Sequence, residues 1–422
     1  MSIVLRSSIA RLGIVVALGA SMIVAGCSTG GGSGSNSTIG VGLQGPMTGS
    51  RADIGKAMTQ ASQMAIDIIN KNGGVNGHQL KLYVQDDAGD QVDALPAVHT
   101  LINVDNVSTL IGPISLTEAA ILPAVDQANI TNMMWGGGSA FDAVTDPHFF
   151  RMSPSDTEQA QAMVYYAYKQ GWTHVALAFD SSAGSQSLVA PIQQAAQQLN
   201  MTITNNVSFT PGQSNYNSEV QAIYNGHPQA VLGGMDSDTA GVLFGEIKQQ
   251  GFNTTPFVAT NIFYSTSFFQ ALGASIAAGP LYILNSSPTG GQGATALLSS
   301  MKQYYGYTTP PNGFEYTYDG LMTWAIGADE AGTTDWPKVE QGILAVTTNA
   351  NNTLCTDYAT CSSDIKAGKA VKFEGSASSV TFNKYHNVYG PFAVLQFNAD
   401  GTTKQLATYS AHDIQGAFNS GS

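Results

Sequence analysis

From Ile39 onward, short apolar runs alternate with longer stretches whose apolar residues recur every three to four positions. The first kind reads as buried strand, the second as amphipathic helix. "TIGVGLQGPMTG" predicts a strand that runs into a Gly/Pro loop. "IGKAMTQASQMAIDIINKNGG" then places Ala57, Ala61, Met64, Ala65, Ile68 and Ile69 on one helical face and stops at Gly73 and Gly74, a helix C-terminal signal. "HQLKLYVQDDAGD" predicts a strand with an acidic end, "ALPAVHTLINVDN" a helix, "VSTLIGPIS" a strand, "TEAAILPAVDQAN" a helix, and "TNMMWGGGSA" a strand and loop.

After "FFRMSPSD" the rhythm starts again. Four strands ("THVALAFDSS", "MTITNNVSF", "PQAVLGGMDS", "TPFVATNIF") alternate with four helices, from "TEQAQAMVYYAYKQG" to "DTAGVLFGEIKQQG". Strands separated by helices of this length imply parallel sheets built from right-handed crossovers. Two successive sets imply two α/β lobes. The last third is less regular. "TALLSSMKQYYGY", "YTYDGLMTWAIGADEAG" and "KVEQGILAV" read as helices, "SSVTFNKYHN" and "GPFAVLQFNADGTTKQLATYS" as β structure, with "NADGTT" as a hairpin turn.

The pattern before Ile39 is of another kind. Arg6 and Arg11 precede the apolar run "LGIVVALGASMIVAG", which ends at Cys27. Its 15 residues are short for a membrane-spanning helix, which needs about 20. A basic start followed by such a run is an export signal. Val24, Ala25, Gly26 and Cys27 resemble a bacterial lipoprotein box, which implies cleavage before Cys27 and lipidation of its thiol; an ordinary secretory signal or a membrane anchor is the plainer alternative. Residues 1–26 are then the signal peptide. Residues 27–38 are the lipidated cysteine and a Gly/Ser tether, "STGGGSGSNST", too loose to orient what it carries.

Composition narrows the function. Only 11% of the 422 residues are charged, so Asn, Gln, Ser, Thr and Gly must carry the surface. A net charge of −13 argues against nucleic acid, whose phosphates call for Lys and Arg. Cys355 and Cys361, close together in a polar stretch, are expected to form a disulfide in an exported chain. A metal there would need more ligands.

Chemistry of the catalytic kind is missing from the pattern. Histidines 78, 99, 148, 174, 227, 386 and 412 are scattered without paired spacing. No Gly-x-Ser-x-Gly elbow, His-Glu-x-x-His or Gly-Lys-Ser phosphate loop occurs, so an enzyme is not expected and no cofactor is implied. "QDDAGD" has the carboxylates a hard cation prefers, but acids at a strand end more often cap the next helix. No metal site is expected.

Ligand chemistry is better represented. In open α/β sheets ligands bind beyond the carboxyl ends of the strands. Here those ends read "QGPMTGS", "GPISLT", "WGGGSA" and "DSSAGSQS". Each leads into a helix start, where free N–H groups favour an anion. Gly136, Gly137 and Gly138 would let a small ligand, such as a carboxylate, approach bare backbone, with Ser139 closing the group. The competing reading is a sharp turn and nothing more.

These residues resemble a known family. The export start, the stretch from "IGVGLQGPMTGSRADIGKAM" through "INKNGGVNG" to "QDDAGD", and the strand "TLIGPIS" are similar to the leucine/isoleucine/valine-binding proteins of ABC importers, the type I periplasmic binding proteins. The resemblance spans Ile39 to about Ser410. It implies an α/β fold of two doubly wound parallel-sheet lobes, joined by three crossovers and closing like a clam shell. The first lobe is expected over residues 39–153 plus 282–382, the second over 154–281 plus 383–422. It also implies an extracytoplasmic, lipid-anchored monomer that delivers a solute to a membrane permease driven by a separate ATPase. A sensor of the same fold, signalling through a partner protein, is the alternative.

Residue by residue, Ser115 matches the family serine that holds the ligand carboxylate, and Gly137 and Ser139 match its second binding loop, with Gly138 between them. The sequence departs from the family at the other end. Asn261 stands where amino-acid binders carry an acid for the ligand ammonium. Gly184, with its neighbours Ala183 and Ser185, stands where an aromatic is expected, and Met235 and Ile54 occupy two further aromatic positions. Asp236, Asp238 or Glu315 could supply a relocated acid. Phe314, in "GFEYTYDG", lines up with a stretch that can reach the cleft, or it is core. The expected solute is therefore a carboxylate or amide without a strongly held ammonium, ahead of a neutral amino acid.

Overall fold

Apolar alternation between Ile39 and Arg151 produces a five-stranded parallel sheet in a computed structural model that describes residues 38–286 and 290–419. Its strands are β1 (Ile39–Gly45), β2 (Leu80–Asp86), β3 (Val107–Ile111), β4 (Thr131–Met134) and β5 (Phe149–Arg151), in the order β2-β1-β3-β4-β5. The helices α1 (Ala52–Lys71), α2 (Gln91–Asn103) and α3 (Ser115–Ala128) are the crossovers. α1 ends as its sequence predicts: Gly74, at φ 72°, donates its N–H to the Ile69 carbonyl. A side chain on Gly74 would run into the backbone of His78.

The second sheet has seven strands: β6 (His174–Asp180), β7 (Thr202–Phe209), β8 (Ala230–Gly234), β9 (Phe257–Ala259), β10 (Leu281–Ser286), β13 (Phe392–Phe397) and β14 (Thr403–Tyr409). Their order is β14-β13-β10-β9-β8-β6-β7. The first five are parallel, and β13 and β14 add an antiparallel hairpin at one edge. A small parallel pair, β11 (Thr353–Cys355) and β12 (Val371–Phe373), lies apart from both sheets. Beside it Cys355 and Cys361 form a disulfide.

The chain enters the second lobe at α4 (Asp156–Lys169), which starts at a capping box. The Ser155 hydroxyl accepts the Glu158 N–H, and the Glu158 carboxylate accepts the Ser155 N–H. Both later passages come further along than the sequence suggested. β10 was expected to open the return to the first lobe at 282, yet it pairs with β9 and β13 in the second sheet, so the return follows Ser286. Residues 383–388 were expected in the second lobe. Instead Arg151 donates to the His386 carbonyl and Val388 donates to the Arg151 carbonyl, so they line the edge of the first sheet. "SSVTFNKYHN" accordingly forms only isolated bridges, Arg151 with Asn387 and Phe382 with Val388.

The two lobes bury separate cores. The larger centres on the helix Phe314–Ala331, where Phe314, Leu321, Trp324 and Ile326 are closed off from water. The second-lobe sheet buries Met235, Leu243, Phe257 and Phe263 on one face and Leu177, Phe179, Leu232 and Val394 on the other. No helix among the described residues is long and apolar enough to cross a membrane. The apolar run before Cys27, and Cys27 itself, lie outside the described residues.

Candidate functional site

The carboxyl ends of β3 and β4 lie side by side, so the start of α3 meets the triple glycine that follows β4. Their contact is close. The Gly138 N–H donates to the Ser115 hydroxyl at 2.9 Å. Gly136 has φ 152°, and a side chain there would collide with the Ser115 hydroxyl and N–H. A side chain on Gly138 would come within 3.0 Å of Ser115, and one on Gly137 would collide with the Asp156 carboxylate. The glycines therefore have a packing reason: two polar side chains, one from α3 and one from α4, press on this backbone.

Further bonds fix the loop. Gly136 donates to the Ser153 hydroxyl at 3.0 Å, and the buried Arg151 guanidinium donates to the Gly138 carbonyl at 3.2 Å and to Asp142 at 2.7 Å. Asp142 also accepts the Thr157 hydroxyl. What stays available is chemically specific. Ser115 uses its oxygen toward Gly138 and keeps its hydroxyl hydrogen. The Ser139 side chain is half-buried and makes no hydrogen bond to the described residues. Ser115 stands at the amino end of α3, where unpaired N–H groups attract an anion, and Ser139 follows Gly138, whose N–H donates to Ser115.

One wall of this cradle is apolar. Ile54, Met47, Leu116 and Trp135 are partly buried against Leu43, Met58 and Ile114. Trp135 stacks on Tyr316 at 6.3 Å and lies over Gly313, where an added side chain would sit 3.1 Å from the indole. The Gly/Pro loop beside it is held by the acids of "QDDAGD". Asp86 accepts the N–H groups of Met47 and Ala88, Asp87 accepts that of Gly89, and Asp90 caps α2 through Val92. Those carboxylates are spent on backbone.

On the α4 side stands Asp156, which sequence reasoning overlooked. Its carboxylate accepts the Ser187 hydroxyl at 2.9 Å and faces Gly137; burial raises its pKa above the usual carboxylate range. The only signal in the sequence was an acid in the first turn of a helix that follows a crossover, "SPSDTEQ".

Ser115, Gly137, Gly138, Ser139 and Ile54 thus come together. The second-lobe residues are arranged otherwise. Asn261 is exposed, and its carbonyl oxygen accepts an N–H from Gln159 at 3.2 Å. Gly184 is exposed with nothing within 4 Å of an added side chain, although Ser187 of the same loop reaches Asp156. Met235 and Phe314 do not line the site: both are fully buried, because each sits where its lobe's core is densest. Of the acids considered as replacements, Asp236 caps the helix Ser237–Gln249 through Thr239, Asp238 is exposed, and Glu315 is buried, its carboxyl pushed up to about 8 by desolvation.

Comparison with known proteins agrees with this architecture. Residues 38–402 match the family model described as periplasmic binding protein. A Leu/Ile/Val-binding protein homolog of Brucella melitensis is 23% identical over 301 residues, 70% of this chain and 80% of the relative. A leucine-binding protein, LivK, from Thermotoga maritima superimposes with a TM-score of 0.71 at 18% identity, covering 89% of this chain and 99% of that one. A solute-binding protein of an ABC transporter from Rhodopseudomonas palustris, in complex with 3,4-dihydroxybenzoic acid, does so with a TM-score of 0.67 at 17% identity, covering 89% and 98%.

Proposed function

The chain belongs to the periplasmic binding protein family, as a solute-binding protein of the branched-chain amino acid ABC transporter type, and from there we propose that its solute is a small carboxylate with an apolar or aromatic body. The observation that carries this reading is the pairing of two donors with an apolar wall. The Ser115 hydroxyl at the start of α3 and the Ser139 hydroxyl after the glycine loop supply hydrogen bonds to a carboxylate. Trp135, Leu116 and Ile54 supply the surface for the body. Asn261, an amide whose oxygen is already engaged by Gln159, offers its N–H donors rather than an acceptor for an ammonium. Lobe closure adds the second-lobe contacts, and only contacts made better in the closed state drive it.

In this proposal the role is capture and delivery rather than catalysis. The protein works outside the cytoplasm, is anchored through Cys27, and hands its solute to a permease. One observation favours a second reading. Asp156 brings a carboxylate to Gly137, and an amino acid could place its ammonium there while its carboxylate meets the serines.

Thermal unfolding of solute-stripped protein tests both. A ligand present at about 100 times its dissociation constant stabilises by about 2.7 kcal/mol. The panel is leucine, valine, phenylalanine, benzoate-type and short-chain acids, acetamide and urea. The leading reading expects shifts with plain acids, retained or increased in Asp156→Asn. The second expects shifts with amino acids, lost in Asp156→Asn. Stabilisation by acetamide or urea but by no carboxylate would overturn both.

A further inference from the structure

A cluster on the first lobe, apart from the solute cradle, brings one imidazole and two carboxylates together. His148 precedes β5, and its Nδ1 lies 3.0 Å from Asp126 on α3 and 3.1 Å from Asp146. One ring nitrogen carries at most one hydrogen and can donate to only one of the two carboxylates; Asp146 also accepts the His148 backbone N–H at 2.9 Å. No Lys or Arg among the described residues pairs with either acid. The imidazole is only 4% exposed, held by ring contact with Trp336 at 4.2 Å, and its Nε2 has no partner.

A second buried group on α3 is also unsatisfied. Glu118 lies two helical turns before Asp126 on α3, so the two share a face. Its carboxyl is 0% exposed; one oxygen accepts the Asn132 amide at 2.6 Å and the other has no partner. Burial raises its pKa to about 8, and Asp146 adds to that in the same direction. Asn132 in turn is tied to His148, whose carbonyl accepts its N–H at 2.8 Å. Two carboxylates and a buried imidazole thus meet at one spot, and no Lys or Arg among the described residues pairs with either acid.

We propose that Asp126, Asp146 and His148 bind a divalent transition-metal ion of the zinc type. The ion takes the Nδ1 lone pair of the neutral imidazole, whose single ring proton then sits on Nε2. Imidazole nitrogen and carboxylate oxygen are zinc ligands at roughly 2.0–2.2 Å, and two donors at right angles about such an ion are roughly 3 Å apart, as found here. A neutral imidazole with two carboxylates carries the charge a divalent ion neutralises. The exposed side of Asp126 leaves a position for water. The ion would pin the later turns of α3 to the segment between the glycine loop and β5. Those two elements form the solute cradle at their other ends, so metal occupancy and solute binding are expected to support each other.

The test uses the purified protein, stripped with a chelator and dialysed against Zn²⁺, with metal counted by elemental analysis. The expected result is one ion per chain, a raised unfolding temperature, and visible absorption bands of tetrahedral or five-coordinate type when Co²⁺ is substituted. Asp126→Asn, on the exposed side, should keep the metal-free unfolding temperature and weaken Zn²⁺ binding at least tenfold, with loss of the Co²⁺ bands. Asp146→Asn should do the same, so the decision stands even if His148→Gln fails to fold. Failure to bind Zn²⁺ or Co²⁺ at micromolar concentration overturns the proposal. So does unchanged affinity in both Asp variants, or stabilisation by Ca²⁺ or Mg²⁺ alone. None of these results bears on which solute the cleft holds.

Discussion

The cradle at the start of α3 and the second-lobe loops that approach it are built in different ways. In the first lobe every backbone group of the glycine loop that matters is tied down: Gly138 to Ser115 and Arg151, Gly136 to Ser153, and Arg151 onward to Asp142. In the second lobe Asn261 and Gly184 are exposed, and the Ser182–Ser187 segment is tied through the Ser187 hydroxyl to Asp156 of the same lobe. One side is formed before a solute arrives. The other is exposed surface. A rigid cradle lowers the ordering cost of binding, and a looser partner surface leaves room for the solute to vary.

Titration should separate the two lobes most strongly. Burial pushes Glu118 and Glu315 of the first lobe and Glu158 of the second up to about 8 from 4.5, and Asp319 of the first up to about 6 from 3.8. The folded state then holds protons the unfolded state has lost. Stability is fully present below the unfolded values near 4 and falls as pH rises through about 6 and then 8. The unfolding temperature should drop steadily from pH 5 to pH 8.5. Glu118→Gln and Glu315→Gln together should flatten that slope more than Glu158→Gln does. A temperature that climbs over this range would show that these carboxyls are ionised when folded.

The next largest effect is in the cores. Phe314→Ala should cost about 3–5 kcal/mol in urea unfolding, the usual range for deleting a buried aromatic. The solute affinity of the surviving folded protein should stay within about threefold, corresponding to a difference of about 0.7 kcal/mol. A large affinity loss with little destabilisation would return Phe314 to the cleft.

Glycine substitutions sharpen the contrast between the faces. Gly136→Ala meets Ser115 and an unfavourable backbone angle, so it should cost about 1–3 kcal/mol and abolish solute-induced stabilisation. Gly184→Ala meets nothing and should change stability by no more than about 0.5 kcal/mol. Smaller still, Ser115→Ala removes one hydrogen bond to the solute, about 1 kcal/mol or roughly fivefold in affinity by calorimetry. Asn261→Ala should change affinity less. Equal losses from both would mean that the two lobes grip the solute equally.

Much of the architecture was legible because burial and hydrogen bonding act locally. The short continuous apolar runs of β1, β3, β6 and β8 and the 3.6-residue stripe of α1 name their elements directly. The hairpin at Asn398–Thr402 follows from its turn residues, with Gly401 at φ 85°. β10 and the edge segment 383–388 were misplaced because strand identity was readable while the choice of sheet was not. One partner of each lies on a segment far along the chain, β13 for β10 and Arg151 for Asn387.

The candidate site was legible at one end only. Ser115 and the glycines stand beside each other because β3 and β4 are neighbours, an order the crossover pattern already implied. Asp156, Arg151 and Trp135 enter through contacts between elements that no local pattern records. Met235 and Phe314 were drawn toward the cleft by their positions in the chain, and their side chains turn into the cores. His148 carried no spacing signal, since its partners come from α3 and from a turn two residues earlier.

The sequence by itself determined the alternation of strand and helix, the two-lobed α/β class and the Gly/Ser chemistry at the start of α3, because each is set by side chains within a few residues of one another. Only the tertiary structure decided which sheet takes each late strand, which side chains gather beside the start of α3, and that three glycines are needed for Ser115 and Asp156 to approach the same backbone. Those outcomes depend on packing between surfaces distant in the chain, where a small shift exchanges a buried side chain for a ligand contact.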